Sequence, residues 1–204
     1  MLALPVAAGP WPRAPGGGFL SATTGIEDLA DRRAFTEVYG EHGVARQLVL
    51  GAHFRRTEGR MRADLLARWH PDLPYDLALG LTLGARLREP RSAAPILAAH
   101  LGRGVETRLG NLWARADVQA VASRSGIGGR FEADLSGQIG FRSHGGALAM
   151  LTLAEHRNRD GRTLKLTPAL GHAIGPRVTL VLGATLLPRA QRVDGAQLSL
   201  WFDY

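Results

Sequence analysis

The 204-residue chain contains no cysteine. Disulfides, thiol nucleophiles and cysteine-ligated zinc or iron–sulfur sites are therefore excluded. Lysine is almost absent too: of 25 Lys and Arg residues, all but Lys165 are arginine. Aromatic residues make up only 6%. No apolar run approaches the ~20 residues of a membrane-spanning helix. Helix-period patterns are scarce. The Gly-x-Ser-x-Gly elbow of hydrolases is missing, and the glycine runs at 16–18 and 126–129 precede no helical pattern, so phosphate-loop readings fail. Ser123, Ser125 and Ser143 lie in turn-like contexts with no histidine in strand register. The sequence thus reads as a non-enzyme with no cofactor.

What is present is equally directed. Glycine is 26 of the residues, about twice average usage. Hydrophobics are 45%, too many for a disordered chain. The net charge of +7 raises the prospect of nucleic acid. The arginines, however, are spread over separate loops without the interleaved aromatics of a stacking surface, so nucleic acid is not an expected partner.

The dominant signal is two-residue alternation. Leu112, Ala114, Ala116, Val118 and Ala120 alternate with Asn111, Trp113, Arg115, Asp117 and Gln119. Phe131, Ala133, Leu135, Ile139 and Phe141 alternate with Arg130, Glu132, Asp134, Ser136 and Gln138. Residues 60–69 and 76–87 repeat the pattern. Twelve strands are predicted, at about 17–24, 33–41, 46–55, 60–70, 75–88, 93–102, 109–121, 129–141, 146–155, 162–173, 178–187 and 196–204. The fold class expected is all-β: a transmembrane, antiparallel, up-and-down β-barrel. Its leucine- and alanine-rich phase would face lipid and its charged phase a polar lumen. A soluble, lipocalin-like ligand-binding barrel would place the leucine phase inside. Pro168 sits within a predicted strand and marks either a bulge or an error of register.

The charged phase supplies the lumen and selectivity candidates: Arg60, Arg62, Asp64, Arg68, Asp76, Arg86, Arg115, Asp117, Glu132, Asp134 and Lys165. Opposite charges on neighbouring strands are expected to pair, giving either a polar pore or a salt-bridged lumen in a non-conducting structural barrel. Tyr39, Trp69, Tyr75, Trp113, Trp201 and Tyr204 fall at one depth and are predicted to form an aromatic girdle. The opposite end gathers Arg32, Arg33, Arg55, Arg56, Arg60, Arg86, Arg88, Arg91, Arg124, Arg130, Arg157, Arg159, Arg162, Arg189 and Arg192, a rim suited to phosphates such as those of lipopolysaccharide. His42, His70, His144 and His172 occupy separate turns and lack metal-ligand spacing, so no metal is expected. Residues 1–8 read as a possible remnant of a signal peptide, 9–16 as an extended lead-in, and 17–204 as a single barrel domain.

The last residues carry the most specific motif. Leu198, Leu200, Phe202 and Tyr204 form an apolar phase ending in a terminal aromatic. This resembles the C-terminal assembly signal of bacterial outer-membrane β-barrel proteins. The lead-in Trp11-Pro12-Arg13, the following Gly17-Gly18-Phe19, and the turn-and-strand units at 40–51, 70–80 and 171–183 resemble uncharacterised proteobacterial outer-membrane barrels. That group is loosely linked with transporter-like barrels found near phenol-degradation genes. The resemblance implies residence in the bacterial outer membrane with both termini periplasmic. It implies insertion by the barrel-assembly machinery and contact with outer-membrane lipid and lipopolysaccharide. It also implies a narrow channel or passive transporter for a small solute.

Overall fold

The computed structural model describes residues 11–74, 76–88, 92–123, 130–158 and 161–204. Twelve strands follow one another: β1 (Gly18–Glu27), β2 (Arg33–Ala45), β3 (Leu48–Thr57), β4 (Arg60–Trp69), β5 (Leu77–Arg88), β6 (Ser92–Thr107), β7 (Gly110–Ser123), β8 (Arg130–Ser143), β9 (Ala147–Asn158), β10 (Gly161–Ala173), β11 (Val178–Leu187) and β12 (Arg192–Asp203). Each pairs antiparallel with its neighbour in sequence, and β1 pairs β12, closing the ring. Closure leaves no sheet edge, the condition for strands in hydrocarbon. All twelve predicted strands are present. The differences are in length: β6 continues to Thr107, and β2 to Ala45.

Short turns suffice because each strand simply returns beside the last. Between β3 and β4 the turn is only Glu58-Gly59, both with positive φ, 48° and 79°. That is the two-residue geometry whose twist matches paired strands, and it favours glycine.

Alternation decides the faces. Leu20, Leu50, Leu65, Leu83, Leu97, Leu135, Ile139, Leu182 and Leu200 all point outward and are exposed, Leu83 at 65%. Arg86, Asp64, Glu41 and Arg68 point inward and are buried. The soluble lipocalin-like alternative required the reverse and is overturned: a leucine belt on the outside is a lipid-facing surface. Pro168 needs no bulge of its own strand. β10 keeps full register with β9, including Pro168↔Leu151. The missing donor appears on the other side, where the β10–β11 ladder passes from Leu166↔Leu186 to Ala169↔Gly183 with no pair between.

The lead-in from Trp11 folds back over the barrel end that carries both termini. Gly16 N–H donates to Gly43 O at 2.8 Å and Gly43 N–H to Gly17 O at 2.9 Å. The Arg13 guanidinium enters the barrel and reaches Glu41 at 2.6 Å and Asp203 at 3.5 Å. Trp11 packs against the cluster of Trp113, Leu148, Ala169 and Val181, and the Trp113 ring covers Gly140, where a Cβ would collide with it. The segment 1–8 lies outside the described residues.

The outward belt makes a prediction about solvent. Leu83→Arg should cost about 2–4 kcal/mol of folding free energy in phospholipid vesicles, measured by denaturant unfolding, because a midplane guanidinium on the lipid face is poorly solvated. An unchanged stability would mean that Leu83 does not face lipid.

Candidate functional site: a charged lumen

The inward phase of β2–β5 builds one side of the lumen. Asp64 of β4 and Arg86 of β5 are opposed in register, and both are only 3% exposed. Arg86 donates to both Asp64 oxygens, each at 2.9 Å. This is the planar fork-to-carboxylate fit that only arginine offers. His53 stands between Glu37 (3.4 Å) and Asp64 (3.7 Å). Arg55 donates to Glu37 at 2.8 Å and to Glu27 at 2.5 Å, with its guanidinium 4.3 Å above the Phe35 ring.

Nearer the termini a second network forms. Arg68 donates to Thr82 at 3.2 Å, Glu41 at 3.2 Å and Tyr39 at 3.3 Å. Tyr39 donates its phenolic proton to Glu41 at 2.7 Å. Thr82 contacts His100 at 3.0 Å, which reaches Asp117 at 2.8 Å; Ser136 also donates to Asp117.

The links of widest span join strands three apart. Arg88 of β5 donates to Glu132 of β8 at 2.9 Å, and Arg86 comes within 3.5 Å of the same carboxylate. Arg142 of β8 donates to Thr179 of β11 at 3.0 Å. The remaining arc is different in kind. Alternation presents Ser21, Thr23, Thr152, Thr163, Thr167, Thr185, Gln197 and Ser199 there, with Lys165 as its cation. Thr23 and Ser199 share a 2.8 Å hydrogen bond, and Gln138 donates to Thr152 at 2.9 Å. Between the two sides lies a cavity of about 500 Å³ (520 Å³), lined by Glu37, His53, Asp64 and Arg86 on one flank and Asp134, His156, Thr163 and Lys165 on the other.

Among the predicted lumen residues, Arg62, Asp64, Arg68, Arg86, Arg115, Asp117, Glu132, Asp134 and Lys165 lie on the inward phase. Arg60 and Asp76 do not reach the lumen. Arg60 is exposed at the rim beside the Glu58-Gly59 turn, and Asp76 is exposed in the connection ahead of β5 with φ of 55°. The expected β7–β8 charge pairing is also corrected. Register sets Arg115 against Gln138 and Val121 against Glu132, so Arg115 turns to Asp117 two residues along its own strand at 3.5 Å. Glu132 turns across the barrel, and Asp134 meets His156 at 2.6 Å.

The aromatic girdle is corrected as well. Trp69, 48% exposed, and Tyr204 do face outward. Tyr39, Trp113 and Trp201 share their strands' inward phase and lie inside, Trp113 at 5% exposure and Trp201 against Phe19. For these three, parity along the strand sets the direction, and it is inward. Tyr75 lies outside the described residues. Of the arginine rim, Arg55, Arg86 and Arg88 turn inward to carboxylates, while Arg91, Arg124 and Arg159 lie outside the described residues. Arg33 bonds Asp28 at 2.7 Å, and that bond holds the Asp28 carboxyl below its ordinary pKa. Sequence reasoning missed Arg13, Glu27, Glu37, Glu41, His53, His100 and Arg142 as lumen residues. Counting by twos from Tyr39 reaches Glu37 and Glu41 directly.

A closed twelve-stranded barrel with a leucine belt outside and a charged interior has the architecture of outer-membrane porin-like β-barrels. Solved structures agree. The chain is similar to a KdgM porin (TM-score 0.72, 8% identity, 91% of this chain and 99% of that one). It is similar to a NanC porin (TM-score 0.72, 8% identity, 90% and 98%). It is also similar to the COG4313 outer-membrane channel of Pseudomonas putida F1 (TM-score 0.52, 10% identity, all of both chains). No family model and no curated protein matches the chain by sequence.

The buried fork gives a double-mutant prediction. Arg86→Met should cost about 3–5 kcal/mol, since it strands the Asp64 charge in the wall. Adding Asp64→Asn should recover most of that loss, as read by vesicle unfolding. A double variant no better than the single would show that the pair does not act as a unit.

Proposed function

We propose that the protein is a narrow passive pore for small hydrophilic solutes across the bacterial outer membrane. The observation that carries this reading is the polar lumenal cavity, with Glu37, His53, Asp64 and Arg86 on one flank and Asp134, His156, Thr163 and Lys165 on the other. A solute crossing it exchanges water for hydroxyl and charged hydrogen-bonding partners, the general requirement of a selective polar path. The fold shared with porins and channels supports the same reading, and no catalytic role is assigned to any residue.

Selectivity by charge should be weak. Each inward guanidinium except Arg142 has a carboxylate within ion-pair distance among the described residues, and Lys165 lies 3.8 Å from Asp194. Such a lining suits uncharged or zwitterionic solutes better than a single class of ion. One solved KdgM porin is described in complex with disordered oligogalacturonate; that protein's ligand is strongly anionic, and the neutralised arginines here argue for a less charged cargo. The lead-in and turn motifs keep the transporter-like, phenol-degradation-associated barrels as the group this chain resembles in sequence.

The cross-lumen links from Arg86 and Arg88 to Glu132 favour a second reading, a non-conducting envelope barrel held shut by its own ion pairs. The surroundings would be the same in either case. Outward Arg56, Arg157 and Arg162 at the rim suit lipopolysaccharide phosphates, and Leu198, Leu200, Phe202 and Tyr204 present the signal for the assembly machinery.

Purified protein in planar bilayers separates the two readings: discrete conductance steps with a reversal potential near zero in a salt gradient are expected for the pore, and silence for the plugged barrel. Glu132→Gln releases Arg88, while Arg86 stays on Asp64, and should raise the anion-to-cation permeability ratio about two-fold or more, because unpaired charges near a pore act through a low-dielectric wall.

A further inference from the structure

The barrel wall is uneven. Among the described residues, the β10–β11 ladder has the fewest pairs. It runs continuously only from Ala169↔Gly183 to Ala173↔Thr179, with one further pair at Leu166↔Leu186. Within the span of β11, Lys165, Thr167 and Pro168 have no β11 partner in this ladder although all three pair with β9; Gly161–Leu164 run on past the end of β11 at Leu187. At the interruption stands Pro168, which has no N–H to donate. In hydrocarbon an unpaired N–H costs several kcal/mol, so a proline, which brings no donor of its own, lowers the cost of parting the seam at this point. A register shift between Thr185 and Leu186 loosens the far side of β11 at the same level.

Both faces of this weak seam are apolar. Outside, a groove of 790 Å³ crosses β7–β11 and is lined by Ile139, Leu151, Pro168, Leu170, Leu182 and Ala184, among others. Inside, Trp113, Leu148, Ala169 and Val181 form a buried cluster against which Trp11, Met150 and Trp201 pack. It is one of two buried apolar clusters among the described residues; the other, Ala94, Ile96 and Val121 with Leu66, lies on β4, β6 and β7, away from the seam. Ala169 and Met150 belong to both the groove and the cluster. Gly183 adds no side chain between them.

We propose that the β10–β11 seam is a lateral portal, through which a small apolar or amphipathic molecule passes between the aromatic patch of the lumen and the lipid. The pairing deficit lets the seam open locally, and the groove and inner cluster give such a molecule an apolar surface on either side. Polar solutes would keep to the axial path, so the portal does not depend on the conducting reading.

The chain's composition makes the test clean. It has four tryptophans and no cysteine, and among the tryptophans only Trp69 faces lipid. In a Trp69→Phe background every remaining tryptophan lies in the lumen or its mouth. Thr167→Cys and Thr185→Cys face each other across the interruption and are joined by oxidation or by a short bis-thiol reagent. The protein is reconstituted in phosphatidylcholine vesicles containing 1-bromododecane, a quencher confined to the bilayer. Local opening makes buried groups accessible in proportion to its population, so quenching is expected to be at least about two-fold greater in the reduced form than in the bridged form, and to return on reduction. Equal quenching in the two forms, or none in either, overturns the portal. Swelling of the same vesicles in small sugars reads the axial pore independently: loss of swelling with seam-dependent quenching intact would defeat the pore and leave the portal standing.

Discussion

Every peptide group that enters hydrocarbon must find its partner within the protein, and this demand governs the molecule. It is met by wrapping twelve strands until β12 meets β1, where Leu20 faces Phe202 and Thr24 faces Leu198. Once the ring is closed, no side chain has a choice of direction except through its parity along the strand. Leucine goes out and arginine goes in because there is no third place.

That constraint explains why the lumen is a network rather than a set of isolated charges. A guanidinium inside the barrel reaches beyond its neighbouring strands, and its partner is a carboxylate close in space, whatever the register. Arg86 finds Asp64 beside it and Glu132 across from it; Arg68 finds Glu41 two strands away. Desolvation raises the stakes of each such link, so the pairs stiffen the wall as they neutralise it. The ion pairs thin out along β10 and β11, where strand pairing is also interrupted.

The fold was legible in the residues because period-two alternation needs no tertiary information: the phases of β4, β5, β7, β8 and β12 state their own faces. The site was legible only in part. Asp64, Arg68 and Arg86 declared themselves as charges on a polar phase. Their partners Glu37, Glu41 and His53 did not, since β2 and β3 alternate less cleanly and the strands that meet across a lumen are distant in sequence. Tyr39, Trp113 and Trp201 show the limit most clearly. Aromatic residues at one depth suggest a membrane interface, yet depth and direction are separate coordinates, and parity alone carries the second. Arg55, Arg86 and Arg88 show the same thing for charge: they sit where a rim would be and face a lumen instead.

The lead-in carries a consequence for the order of events in assembly. Arg13 is held by Glu41 from β2 and Asp203 from β12, the two strands that flank β1. These carboxylates are brought together only by the final pairing of the ring. The segment before the barrel therefore has no complete seat until the last strand is home. It is the first part of the described chain to be synthesised and must be the last to come to rest.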